Sequence, residues 1–261
     1  MLLNADQITA PDSVPDCAPE VVNPLGKGPF VLICEHAANQ IPPGWNDLGL
    51  SREQLASHHA WDAGAADLTR ALSRLLDAPA VLSRVSRLFL DYNRPAYHPS
   101  QFPRDIDGVP VPGNADLTEA EIERRERLAF FPMRDAVDHI IAARETLTSG
   151  PVVIAVHSCE PEMDGIARPW PVGIISQWDQ RFAKRIITRL EAAGVDPVGD
   201  NDPYDGRLAA GFTITYHGGS RRLHHAALEM RKDVLASDEG VAHWAALLAD
   251  CLSAVHQEMA P

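Results

Sequence analysis

The sequence predicts an α/β fold: a three-layer α/β/α sandwich around a mixed, mostly parallel sheet. Two observations carry this expectation. The strand-forming runs PFVLIC (29–34) and PVVIAV (151–156) are almost unbroken in apolar character, which suits strands covered on both faces rather than on one. These runs also alternate with longer segments of helical periodicity, the order that builds a parallel sheet through crossover helices.

Residues 1–28 are rich in proline and acidic side chains and are expected to form an irregular arm, with one α/β domain over 29–261. The first strand is PFVLIC. Ser51 opens a capping box, S-R-E-Q, that predicts a short helical turn. Leu68, Leu72, Leu75 and Leu76 recur at helical spacing, so a helix is expected from Ala63 to about Asp77. APAVLSRVSR (78–87) reads as the next strand region. PAYHPSQFPRDIDGVPVPGNAD (95–116) is dense in Pro, Gly and Asp and reads as a long loop, of a length that in compact domains usually carries function. Thr118 and Glu121 form a second capping box, opening a helix that is kinked or restarted at Pro132 and runs to about Leu147. The strand 152–156 follows, then PVGIIS (171–176), a helix from Asp179 to about Ala193, strands FTITYH (212–217) and AALEMR (226–231), and a last helix near 239–256.

The chain has 261 residues, 45% of them hydrophobic, enough for one large core. Its formal net charge of −13 argues against a nucleic-acid or anionic-membrane surface, both of which need a basic footprint. No apolar run approaches the ~20 residues that cross a bilayer. The first residues lack the basic and apolar regions of a signal peptide, so cytoplasmic residence is expected. The four cysteines are scattered with no C-x-x-C pair, which points to neither a disulfide scaffold nor a thiolate zinc knuckle. Oligomeric state is not legible.

Polar chemistry gathers at strand ends. PFVLIC runs into Glu35-His36, PVVIAV into His157-Ser158, and AALEMR carries Glu229 and Arg231 within an apolar strand. In parallel sheets the carboxyl ends of strands border the ligand crevice. A carboxylate in an apolar strand is costly unless it is paired or binds a cation. Each feature alone has an ordinary structural explanation; their coincidence at one sheet edge suggests a site. Two imidazoles and a carboxylate form a common catalytic zinc set, with His36, His157 and, in HHAWDAGA, Asp62 as candidates. Asp62 has a competing role as a helix N-cap. His58 and His59 are in range as supporting groups, and Asn39 is a poor zinc ligand.

The series CEHAANQIP, AWDAGA, LDYNRP, VHSCEP, RPWPVG, GDNDPY, YHG and LEMRKD, spread over roughly residues 30 to 235, resembles the N-formylglutamate amidohydrolase family. That family is distantly similar to the zinc carboxypeptidases and aspartoacylases, which implies a phosphorylase/hydrolase-like fold. The resemblance implies His36 and His157 as zinc ligands, Glu229 as the catalytic glutamate and Asn93-Arg94 as the binder of a substrate carboxylate. One departure stands out. The carboxypeptidase pattern has a glutamate three residues after the first histidine, where this chain has Asn39; Asp62 takes the equivalent place before the helix.

Such a site implies zinc-activated water, Glu229 as general base and acid, and Arg87 beside the developing oxyanion, with Arg231 as its substitute. Arg94 and Asn93 would hold the carboxylate of a small-molecule substrate. Arg168, or Arg221 and Arg222, would meet a second carboxylate, and Tyr204 and His217 would line the pocket. The implied reaction is hydrolysis of N-formyl-L-glutamate to formate and L-glutamate. Rival readings are a zinc amidohydrolase for another N-acyl amino acid or a peptide terminus, and a non-catalytic protein that binds acidic ligands on the same fold. A serine hydrolase using Ser158 lacks the G-x-S-x-G context, and Cys159 has no better support as a nucleophile.

Overall fold

The computed structural model describes residues 16–144, 150–209 and 211–259. In chain order the strands are β1 (Glu20–Val22), β2 (Phe30–Cys34), β3 (Ala80–Leu82), β4 (Asp105–Ile106), β5 (Val109–Pro110), β6 (Val152–Cys159), β7 (Glu162–Met163), β8 (Ile166–Ala167), β9 (Val172–Ile175), β10 (Gly199–Asp200) and β11 (His225–Arg231). The helices are α1 (Arg52–Ala56), α2 (Ala65–Leu75), α3 (Glu119–Arg125), α4 (Phe131–Ala142), α5 (Arg181–Ala192), α6 (Gly206–Ala209) and α7 (Asp238–Met259). Seven strands form the main sheet in the order β1-β3-β2-β6-β11-β9-β10, while β4–β5 and β7–β8 are separate hairpins. The pairs β2–β3, β2–β6, β6–β11 and β9–β10 are parallel; β1–β3 and β11–β9 are antiparallel. The sheet is mixed and mostly parallel, with helices on both sides.

The unbroken apolar runs now have their physical reason. Successive side chains of a strand point to opposite faces. Phe30, Leu32 and Cys34 of β2, with Val152, Ile154 and Val156 of β6 and Ala226, Leu228 and Met230 of β11, pack under α2, α5 and α7. The intervening Val31, Ile33 and Val153 pack under Met133, Val137, Ile140 and Ile141 of α4. Both faces of these strands are therefore covered by apolar side chains. On α2, Leu68 and Leu72 are fully buried, each contributing on the order of 1.5–3 kcal/mol. Gly64 opens this helix at φ 80°, and a Cβ there would lie 2.6 Å from the Leu235 side chain, so glycine is required on both counts.

Several expectations change. Part of the arm is strand β1, paired with β3. The region 78–87 supplies only three strand residues before turning. The 95–116 segment is organised by the β4–β5 hairpin and by turns at Pro99–Gln101 and Pro112–Asn114. The break near Pro132 is a wide helical turn over Glu126–Phe130, followed by α4 with Pro132 in its first turn, where the missing N–H breaks the regular ladder. The predicted end near Leu147 lies outside the described residues. FTITYH is not a strand. Its Ile214–Gly218 portion is a helical turn, because Asn93 pins its entry: Phe212 N–H donates to Asn93 O at 3.0 Å and Thr213 N–H to Asn93 Oδ1 at 3.0 Å. These tertiary bonds override the β-branched composition. Among the described residues no helix is long and apolar enough to cross a membrane.

Candidate active site

Strand β6 continues through Cys159, so His157 lies inside the strand and not at its exit. Alternation explains how it still faces a cavity. Val153, Ala155 and His157 share one face, and in the register with β11 Ala155 stands beside Ala227 and His157 beside Glu229. The two alanines are too small to fill the space above them, and both line a cavity of about 230 Å³. Glu35 continues the β2 face of Val31 and Ile33, and Gly173 of β9 pairs with Glu229 on the other side. A row of Glu35, His157 and Glu229 therefore crosses three neighbouring strands on the cavity floor.

His36 and Asp62 arrive from loops. The Asp62 N–H donates to His36 O at 2.9 Å, which ties the two loops together. Asp62 does not cap α2; the N-cap position is Gly64, with no side-chain cap. Its carboxylate instead accepts from Arg87 through Oδ1, lies 2.9 Å from His157 Nδ1 through Oδ2, and accepts the Ser158 N–H at 3.3 Å. The Arg87 guanidinium also donates to His36 Nδ1. That leaves the His36 ring proton on Nε2, which donates to Asp91 Oδ1 at 2.8 Å. His157 Nε2 lies 3.4 Å from Glu35 Oε1. Each imidazole thus turns Nδ1 towards Asp62 and has a carboxylate behind Nε2, the arrangement that orients histidines at metal centres.

His36, Asp62 and His157 are buried and offer ligand atoms that all lie within 4.8 Å of one another. Asp62, Asp91 and Glu229 lie around the buried end of Arg87, Glu35 stands behind His157, and Arg94 is partly exposed. Burial works against the Asp62 charge, but Arg87, His36 and His157 hold its carboxyl well below the usual carboxylate range. Burial likewise works against the His157 cation, yet Glu35, Asp62 and Glu229 hold the imidazole well above its ordinary value. Glu35 is kept below its ordinary value by His157 and His36 despite complete burial. Glu229 differs: burial dominates and pushes it up to about 7. The donor set, two imidazoles and a carboxylate with ligand atoms within 4.8 Å of one another, fits a divalent metal.

Of the other expected residues, Arg87, Asn93, Arg94, Arg168 and Tyr204 line the same cavity. Arg94 lies 4.0 Å from Asp91 and donates to Asn93 O at 3.1 Å. Arg168 donates to Glu160 O at 2.9 Å and contacts Met163 Sδ. His217 and Arg231 are not brought to the cavity. His217 is buried with Nδ1 3.0 Å from Asp138. Arg231 is clamped on Asp233 and donates to Arg168 O at 3.0 Å, supporting the segment that carries Arg168. Arg221 is bound to Asp138 and also lies outside the lining. Glu35, Asp91 and Thr213 are lining residues that the sequence reading left without a role. A signal for Glu35 was available: at two residues beyond Ile33 it falls on a covered face.

A mixed α/β sheet with a buried His-Asp-His group and a glutamate beside it on the floor defines a hydrolase-like protein. The family model of N-formylglutamate amidohydrolase matches residues 28–236, and the chain belongs to that family. It is an amidohydrolase. Among solved structures, the gene product Atu2144 from Agrobacterium tumefaciens is 35% identical with a TM-score of 0.88, covering 93% of this chain and 96% of that one. N-formylglutamate amidohydrolase from Ralstonia eutropha JMP134 is similar in fold, at 17% identity and a TM-score of 0.73, covering 92% of this chain and 98% of that one. No curated protein matches the chain.

Proposed function

We propose that the protein is a zinc-dependent, cytoplasmic amidohydrolase that cleaves N-formyl-L-glutamate to formate and L-glutamate. The observation that carries this reading is the alignment of His157 with Glu229 beside the His36–Asp62 pair, in a cavity also lined by Arg87, Arg94 and Arg168. His36, Asp62 and His157 would hold the metal, which when bound would acidify a water and polarise the amide carbonyl. Glu229 takes the proton of the attacking water and returns it to the departing nitrogen, giving the free amine of glutamate and formate. Its burial, which pushes the carboxyl up to about 7 in the metal-free site, favours holding a proton between the two halves of that transfer. Arg87 faces the negative charge that develops on the carbonyl oxygen. Arg94 and Asn93 receive the α-carboxylate, and Arg168 the side-chain carboxylate, with Tyr204 closing the pocket. The volume suits a small N-acyl amino acid.

The test is formate release from N-formyl-L-glutamate by metal-stripped protein, with and without one equivalent of zinc. Zinc-dependent release supports the reading. Stoichiometric zinc binding without formate release, but with turnover of an N-acetyl or other N-acyl amino acid, replaces the substrate and keeps the chemistry.

A further inference from the structure

Glu35 stands out among the buried polar groups. Its side chain is 1% exposed, and neither carboxylate oxygen has a hydrogen-bond partner among the described residues. Its nearest ion-pairing group is His157 Nε2 at 3.4 Å. An apolar side chain would fill this position at lower cost, since a buried carboxylate pays heavily for lost hydration. Nor does it contribute to packing in the way of Val31 and Ile33, which precede it on the same face. The space behind it is a second small cavity lined by apolar groups such as Ile33, Phe130 and Phe212, and by Thr213 and His217. Its charge faces the His157 ring nitrogen first, with His36 and the Thr213 hydroxyl also close by.

We propose that Glu35 is a positioning residue for the metal centre: it faces the Nε2 hydrogen of His157 and so commits Nδ1, 2.9 Å from Asp62, to be the ligand atom. An imidazole offers either nitrogen as donor or acceptor, and the group behind one nitrogen decides which lone pair is free. The His36 ring is oriented for ligation through Nδ1 by Asp91, which accepts from Nε2 at 2.8 Å. Behind the Nε2 of His157 the corresponding carboxylate is Glu35, 3.4 Å away. The two histidines are thus each backed by a carboxylate, and the residue that follows β2 controls the ligand that belongs to β6.

This inference rests on the metal-site reading above, and the experiment separates the two. Zinc affinity is measured by chelator competition for wild type, Glu35→Gln, Glu35→Met and Asp62→Asn, together with the His157 tautomer by nitrogen-15 NMR of the metal-stripped proteins near pH 9. Glu35→Met is expected to weaken zinc binding roughly 10- to 100-fold, to shift metal-free His157 towards the Nδ1–H tautomer, whose proton faces Asp62, and to leave the metal-free melting temperature unchanged or raised. Glu35→Gln, which keeps an acceptor oxygen, is expected to retain the Nε2–H tautomer and most of the affinity. Wild-type zinc affinity and an unchanged tautomer in Glu35→Met would overturn the proposal while leaving the metal site intact. A wild type that binds no stoichiometric zinc, or an Asp62→Asn that binds as tightly as wild type, would instead overturn the metal-site reading.

Discussion

Asp62 Oδ2 and His157 Nδ1 lie 2.9 Å apart although 95 residues separate them in sequence. One is delivered by the loop before α2 and the other by the middle of β6, and the pair defines the centre of the site. The backbone bond from Asp62 N–H to His36 O brings the third member within reach. This makes Asp62, rather than Asn39 or His58, the residue whose loss should matter most. Asp62→Ala is expected to weaken zinc binding by at least 100-fold in equilibrium dialysis, whereas His58→Ala should change it less than threefold, as expected for a side chain at the rim (roughly).

Glu229 should separate chemistry from metal binding. Glu229→Gln is expected to keep zinc within a fewfold of wild type and to lower kcat by roughly 10²–10⁴-fold. Near-normal turnover would remove Glu229 from the mechanism.

The same residue gives a stability prediction whose sign is opposite to that of an ordinary carboxylate. Burial raises it from 4.5 to about 7, so between those values the folded protein holds a proton that the unfolded chain has released. Stability therefore falls as pH rises through this window and stays reduced above it. Glu229→Gln removes that cost. In metal-stripped protein at pH 8 it is expected to be more stable than wild type by up to about 3 kcal/mol, with the difference vanishing near pH 4.5. Urea denaturation at the two pH values measures it.

Arg94 should discriminate between substrates. Arg94→Ala is expected to raise KM for an N-formyl amino acid by roughly 10- to 100-fold, the worth of a lost charged hydrogen bond. The α-amide of the same substrate should respond far less. Equal responses would end the carboxylate-receptor role.

Gly173 offers a test of the pocket wall. A Cβ at this position would lie 1.9 Å from Asp202 O, so Gly173→Ala must push away the loop that carries Tyr204. A higher KM with unchanged zinc affinity is expected from steady-state kinetics and chelator competition.

The apolar runs, with their lack of alternation, were sufficient to predict a buried, mostly parallel sheet, and polar residues at strand ends together with the family resemblance marked His36, Asp62, His157 and Glu229 as candidates. Helices α2, α5 and α7 were legible because periodicity and packing agree there. FTITYH was misread because local β propensity is weak against the two bonds that Asn93 makes to it. His217 and Arg231 were drawn to the site by their position near strand ends, but sequence carries no information on direction. Their partners Asp138 and Asp233, found only in three dimensions, hold them elsewhere.

By itself the sequence determined which strands are covered on both faces and which residue types are available for chemistry, because burial pattern and side-chain identity are local properties. Only the tertiary structure decided that His157 faces a cavity from within its strand, that Asp62 faces His36, His157 and Arg87 rather than capping α2, and that Glu35 stands behind His157. Those facts depend on register and loop closure between distant segments, where a shift of one residue would turn every side chain to the opposite face.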